Sequence, residues 1–341
     1  MPDLKLLVLS ARDVRQLLPY GECADLVADA LAALTRGEVY QPLRTMIQPP
    51  ALDGAPAPGL MALMPSIRSD PNAAYSLKAI CVFAGNPALG KDAHQGVVVL
   101  SSPDTGEPQA LINASALTEI RTAAASVVAT RLLARTDASE LAIIGTGVQA
   151  RAHAIALAQD CAAQGRPLAR IRIAGRTPGR AARAAGELTA AAGVPVTACG
   201  SAAEAVAGAG IVVTATSSAI PVLERAWLAE GTHINAVGAC LPDRRELDSA
   251  TMAAAAVFAD SRESALAESG DVRLAIAEQA LPPVHIRAEI GELLSGTARG
   301  RVSDREITVF ESLGLAAEDL AAAQGVYRNA AKVGAGTWVD F

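Results

Sequence analysis

At 341 residues, 51% of them apolar but only 3% aromatic, the chain can build two cores from Ala, Val, Leu and Ile rather than from rings. Its net charge of −6 is spread without a basic run, which removes any electrostatic case for nucleic acid or an anionic membrane surface as partner. No apolar stretch approaches a bilayer-spanning length, and the opening Met-Pro-Asp-Leu-Lys lacks the sections of a secretory signal. Five cysteines lie far apart with no Cys-x-x-Cys pair, and the four histidines do not cluster with acids. The expectation is a cytoplasmic protein with reduced thiols and no metal.

In chain order, apolar residues at three- and four-residue spacing (Val14, Leu17, Leu18, Cys23, Leu26, Val27, Leu31, Leu34) predict a helix over 12–37. Pro- and Gly-rich coil is expected from Pro49 to Gly59. Strand-like runs follow at Leu60–Met64, Tyr75–Phe83 and Gly96–Ser101, then a turn at Asp104-Thr-Gly106 and a run at Pro108–Asn113. Joined by turns, they suggest a mixed or antiparallel sheet. An Ala-rich helix is predicted from about Ser115 to Ala134, with Ser115 or Thr118 near its start.

The pattern changes at Leu141, where short, uniformly apolar strands begin to alternate with Ala-rich helices. They are Leu141–Ile144, Ile171–Ala174, Val194–Ala198, Ile211–Thr214, His233–Val237 and Val257–Ala259. Such strands suit a parallel sheet covered on both faces, and six of them match a doubly wound dinucleotide fold. After about Asp304 come Ile307–Phe310 and a last helix near Ala316–Val333, a tail expected to return to the N-terminal domain. The division is therefore 1–120 with 305–341, an α+β domain formed by both chain ends, and 121–304, a Rossmann domain of α/β class.

Gly145-x-Gly147-x-x-Ala150 follows an apolar strand and opens a helix. Gly145 permits the tight turn, Gly147 lets the backbone approach a pyrophosphate, and Ala150 lets helix and strand pack closely. Val148 and Gln149 complete the helix N-terminus, whose N–H groups and dipole favour phosphate. At the end of the second strand, Ile173-Ala-Gly-Arg176-Thr177 has no acid for a ribose 2′-hydroxyl. Arg176 and Thr177 can instead pair with a 2′-phosphate, so NADPH/NADP is favoured over NADH. Thr216 and Ser217 end the fourth strand, Val237 and Gly238 the fifth, where a doubly wound sheet takes its ligand.

Arg44, Lys78 and Arg121 are the remaining chemistry-bearing cations. Each alone would pass for a surface charge. Lys78, however, interrupts an apolar strand, so its ammonium must reach a polar pocket or face solvent.

The chain resembles the ornithine cyclodeaminase/mu-crystallin family over nearly its whole length. The likeness is carried by Lys78, Thr118–Thr122 with the following alanines, Gly145–Ala150, Asn235–Gly238, Pro242-Asp-Arg-Arg-Glu-Leu247, Glu268-Ser-Gly-Asp271 and Thr308-Val-Phe-Glu-Ser-Leu-Gly314. It implies a homodimer whose domain of both chain ends supplies the dimer interface and the substrate site. It makes Arg44, Lys78 and Arg121 the substrate-carboxylate and catalytic residues, with neighbouring positive charges lowering the Lys78 pKa. It adds Arg121, Thr122 and Ser217 as cofactor contacts, with Leu313 and Gly314 bordering the pocket; Met61, Met64 and His94 are further pocket candidates read from the sequence.

In that family ornithine cyclodeaminases carry an Asp shortly after the fifth strand, at the position of Cys240 here. A neutral thiol does not replace that charge, whereas Asp243 fits the reductase pattern. The expected activity is NADPH-dependent reduction of cyclic ketimine carboxylates, Δ1-pyrroline-2-carboxylate and Δ1-piperideine-2-carboxylate, to proline and pipecolate. Behind it stand alanine or N-alkyl amino-acid dehydrogenase, then ornithine cyclodeaminase. A non-catalytic NADPH-dependent small-ligand-binding protein is the alternative of another class.

Overall fold

The computed structural model describes residues 5–50 and 59–341; most of the expected coil after Pro49 lies outside them. The chain forms two compact units, Met1–Arg121 with Leu315–Phe341, and Thr122–Gly314.

The first unit is built on a mixed sheet whose order is Thr337–Asp340, Lys5–Leu9, Pro108–Asn113, His94–Ser101, Ala74–Val82, Leu60–Arg68 and Val39–Tyr40. Thr45–Ile47 also pairs with Leu60–Arg68. Lys5–Leu9 lies parallel to Pro108–Asn113, and the other pairs are antiparallel. Leu60–Arg68 runs past the expected stop at Met64. Pro65 is tolerated because it falls between the segments paired by Val39–Tyr40 and Thr45–Ile47.

The expected helix over 12–37 is two helices, Ala11–Leu17 and Tyr20–Thr35. Pro19 separates them, since its ring and missing N–H cannot continue a helix. Ser10 and Asp13 close the first with a reciprocal capping box. The Ala114–Leu133 helix starts with Asn113, whose carboxamide oxygen accepts the Ala116 N–H at 3.0 Å. Neither Ser115 nor Thr118 is that cap; Ser115 donates instead to the His94 carbonyl.

Side chains alternate across the strands. One face packs on Ala316–Val333; the other exposes Met61, Ile67, Tyr75, Leu77 and Val97.

The second unit is one parallel sheet ordered Val196–Ala198, Arg170–Ala174, Glu140–Ile144, Ile211–Thr214, His233–Ala236, Thr308–Glu311, Ala256–Ala259 and Ile286–Glu289. The chain winds outward from Glu140–Ile144 in one direction and resumes at Ile211–Thr214 in the other. That reversal makes it doubly wound and marks the ligand-binding crevice.

Two strands exceed the six expected. Ile286–Glu289 forms an edge, and Thr308–Glu311, entirely buried, inserts between the fifth and sixth. Its register is His233↔Thr308 on one side and Ala256↔Thr308 on the other. Placing 305–341 together as a returning tail therefore puts this strand in the wrong sheet; the chain passes to the first unit only at Leu315. Its four-residue apolar and Thr/Glu pattern reads equally well in either place.

Candidate functional site

In the second unit, the glycine turn is held by close backbone packing. A Cβ on Gly145, whose φ is 132°, would lie 2.3 Å from the Ala215 carbonyl oxygen. Gly147 is the N-cap of Val148–Ala163; a glycine offers this helix no side-chain cap, and a Cβ there would meet open space. Val148 is exposed and Ala150 buried. N–H groups without a side-chain cap, beneath an open approach, fit a nucleotide pyrophosphate. Arg176 and Thr177 lie exposed after the Arg170–Ala174 strand, and Arg176 makes no ion pair among the described residues.

Glu246 ties the two remaining strand ends together. It is fully buried, and its carboxylate accepts the Thr216 N–H at 2.5 Å and the Gly238 N–H at 2.7 Å. Its own N–H and that of Leu247 donate to Asp271 at 2.8 and 2.9 Å. Gly238 has no room for a Cβ, which would lie 2.1 Å from the Thr216 carbonyl oxygen. Burial raises the Glu246 pKa and pushes Asp271 up to about 8, with repulsion from Glu246 the next cause for Asp271. Ser217, exposed, accepts from Arg244 through its carbonyl at 3.1 Å. Val237 is buried and bonds its N–H to the Thr214 carbonyl.

Gly314 (φ 80°) donates its N–H to buried Asp260 at 2.6 Å. Leu313 belongs to the hydrophobic core of this unit with Ile144, Ile234 and Val257. Thr122 is buried on the Ala114–Leu133 helix. Cys240 directs its thiol to the Val237 carbonyl at 3.3 Å.

The first unit gathers charges. Lys78, only 1% exposed, reaches Asp319 with Nζ 2.6 Å from Oδ2. Arg121 donates from Nε to Asp319 Oδ1 at 3.0 Å and from a terminal nitrogen to Glu318 at 2.9 Å. Glu318 and Asp319 are fully buried in the first turn of Ala316–Val333. That turn is fixed from a distance: the Gln41 carboxamide, three residues before Arg44, accepts the Ala317 N–H at 2.7 Å.

The Lys78 pKa is pushed down to about 8, primarily by burial. Attraction to Asp319 opposes this, while Arg121 and Arg44 add to it. The expected cause, neighbouring positive charge, is thus secondary to lost hydration.

Lys78, Arg121 and, through its field on Lys78, Arg44 share one neighbourhood. Met61 does not join them. It pairs with Cys81 on the outer face, whereas Met64 lies opposite Lys78 on the inner one. His94 lies within electrostatic reach of Lys78 and Arg121. Sequence reading missed Glu318, Asp319 and the role of Glu246. Two adjacent acids opening an Ala-rich helix look like ordinary helix-dipole partners; the signal was that an apolar strand lysine needs a buried counter-ion.

Among the described residues no helix is long and apolar enough to cross a membrane, and no group of His, Cys, Asp and Glu is arranged to hold a metal ion.

The ornithine cyclodeaminase/mu-crystallin family model matches residues 5–334. A Δ1-pyrroline-2-carboxylate reductase of Bacillus cereus is 37% identical over 339 residues, 98% of this chain and 100% of that protein. The structure of Thermococcus litoralis Δ1-pyrroline-2-carboxylate reductase in complex with NADH and L-proline superposes with a TM-score of 0.90 at 36% identity, covering 97% of this chain and 99% of that one. An archaeal alanine dehydrogenase dimer with bound NAD gives 0.89 at 29% identity, covering 99% and 100%. The nucleotide-fitted parallel sheet, the buried lysine and a match spanning almost every described residue converge: the chain belongs to the ornithine cyclodeaminase/mu-crystallin family.

Proposed function

We propose that the chain reduces Δ1-pyrroline-2-carboxylate and Δ1-piperideine-2-carboxylate to L-proline and L-pipecolate, using NADPH. It is an enzyme, an NAD(P)H-dependent oxidoreductase acting on the C=N bond. The observation that carries the reading is Lys78, a buried amine pushed down to about 8 and held at 2.6 Å by a carboxylate. Such a group gives up a proton near neutral pH far more readily than a solvated lysine.

A bound nicotinamide supplies the hydride for the imine carbon. Lys78 protonates the imine nitrogen, directly or through water, which makes that carbon more electrophilic. Arg44 and Arg121 take the substrate carboxylate. Formally, Lys78 and Arg121 balance Glu318 and Asp319, and Arg44 adds a further positive charge that draws the anion. Thr216, Ser217, Val237 and Gly238 would border the nucleotide, and Gly145–Ala150 would hold its pyrophosphate. The exposed Arg176 favours NADPH, although the Thermococcus relative was solved with NADH.

We also assign a homodimer. The outer sheet face bearing Met61, Ile67, Tyr75, Leu77 and Val97 is a large apolar surface for a monomer to leave in water, and an archaeal neighbour is a dimer.

The test is a steady-state panel of both cyclic ketimines, pyruvate with ammonium or methylamine, and ornithine. NADPH consumption with a ketimine and no ammonia from ornithine is expected. Fast ammonia release from ornithine overturns the reading, and nucleotide binding without turnover of any substrate replaces it with a carrier.

A further inference from the structure

We infer that Asp319 is a positioning residue that keeps Lys78 charged and aimed for proton delivery, an inference resting on the proposed role of Lys78. One carboxylate holds both cations: Oδ2 meets the Lys78 amine at 2.6 Å and Oδ1 meets Arg121 Nε at 3.0 Å. All three side chains are almost completely buried, so water cannot substitute for any of these contacts. The Nζ position is therefore fixed relative to the guanidinium plane, the geometry needed if one substrate is to meet both.

The groups facing Lys78 come from three elements and one loop. Asp319 and Glu318 lie on Ala316–Val333, Arg121 on Ala114–Leu133, Arg44 before Thr45–Ile47, and His94 on His94–Ser101. The buried Cys23 thiol, kept neutral by its burial, also senses Glu318 and Arg121. Of these, Asp319 is the anion in direct contact with Nζ. Without it, burial and two arginines would leave Lys78 a neutral amine, which has no proton to give an imine.

In the proton step an N–H bond of the Lys78 ammonium breaks and one forms on the imine nitrogen. Lys78 is left as a neutral amine and Asp319 stays a carboxylate. The pair thereby passes from neutral to one net negative charge as the substrate becomes a cationic iminium. Hydride addition removes that positive charge, and Lys78 is reprotonated from water.

The experiment compares kcat/KM for Δ1-pyrroline-2-carboxylate against pH in the wild type, Asp319→Asn and Lys78→Met, with NADPH affinity measured by fluorescence. Comparing variants cancels titration of the substrate itself. The wild type should lose reduction rate as pH rises through about 8, because the acid form of Lys78 disappears. Asp319→Asn should move that midpoint down by about one unit or more, the size expected for a lost contact anion. Its kcat at about pH 7.5 should fall roughly threefold or more with NADPH affinity unchanged, as the fraction of protonated amine falls. A midpoint equal to the wild type overturns the inference while leaving Lys78 in place. Near-normal kcat in Lys78→Met overturns both. Should Asp319→Asn fail to fold, Asp319→Glu decides: a kept midpoint with reduced kcat supports the role, and unaltered kcat sinks it.

Discussion

Both units bury acids, and one cluster in each is satisfied in a different way. In Met1–Arg121 with Leu315–Phe341, Glu318 and Asp319 face the side chains of Lys78 and Arg121. In Thr122–Gly314, Glu246, Asp271 and Asp260 face backbone N–H groups of Thr216, Gly238, Glu246, Leu247, Ser261 and Gly314. Bonded to backbone amides, acids of the second kind lock loops. An amine beside a carboxylate can exchange a proton, so the first kind is suited to chemistry. The same residue types thus lock loops in one cluster and pair with a buried amine in the other.

The strongest way to break that contrast is Lys78→Met, which should lower kcat for ketimine reduction by about 10²–10⁴-fold while NADPH still binds. Single-turnover kinetics with titrated nucleotide would read both, and near-normal kcat would make the charged cluster merely structural. Glu246→Ala should act on stability first. Leaving two partly buried N–H groups without an acceptor costs up to about 1–3 kcal/mol each. Urea unfolding should show that loss together with weaker nucleotide binding; an unchanged midpoint would mean the strand-end loops hold without their clamp.

Arg176→Ala sharpens the cofactor side. It should weaken NADPH by about 1.5–3 kcal/mol, a charged hydrogen bond, and leave NADH nearly untouched. Equal losses for both nucleotides would remove Arg176 from contact with a 2′-phosphate. The smallest effect is expected of Cys240→Asp. It adds a charge to a partly buried position beside the Val237 and Ser312 carbonyls and should slow ketimine reduction only modestly. Faster reduction in that variant would show that the thiol is not the better residue there.

What could be read from the sequence follows how far each interaction reaches along the chain. The Gly145–Ala150 turn and the strands at 141, 171, 211, 233 and 257 are local patterns, and they emerge where their spacing puts them. Likewise the helix Ala316–Val333 carries its own periodicity. Pro19 is visible as a breaker, but the apolar period on both sides of it masks the split. Strand Thr337–Asp340 pairs with Lys5–Leu9, which in turn lies along Pro108–Asn113, and no window of sequence contains those partners. The same holds for Asp319 beside Lys78 and Gln41 capping Ala317. Long-range partners of that kind leave only an indirect trace, a polar group that needs company.

The Thr308–Glu311 strand has a consequence for biosynthesis. It sits between His233–Ala236 and Ala256–Ala259, yet it leaves the ribosome after both. Until then, the nascent parallel sheet has a gap flanked by two unpaired edges, the kind of edge that recruits strands from other chains. Late closure by such a distant segment also raises contact order and slows productive folding. A released chain that ends between Ala259 and Thr308 would therefore present an adhesive sheet, with the two edges that Thr308–Glu311 covers left open.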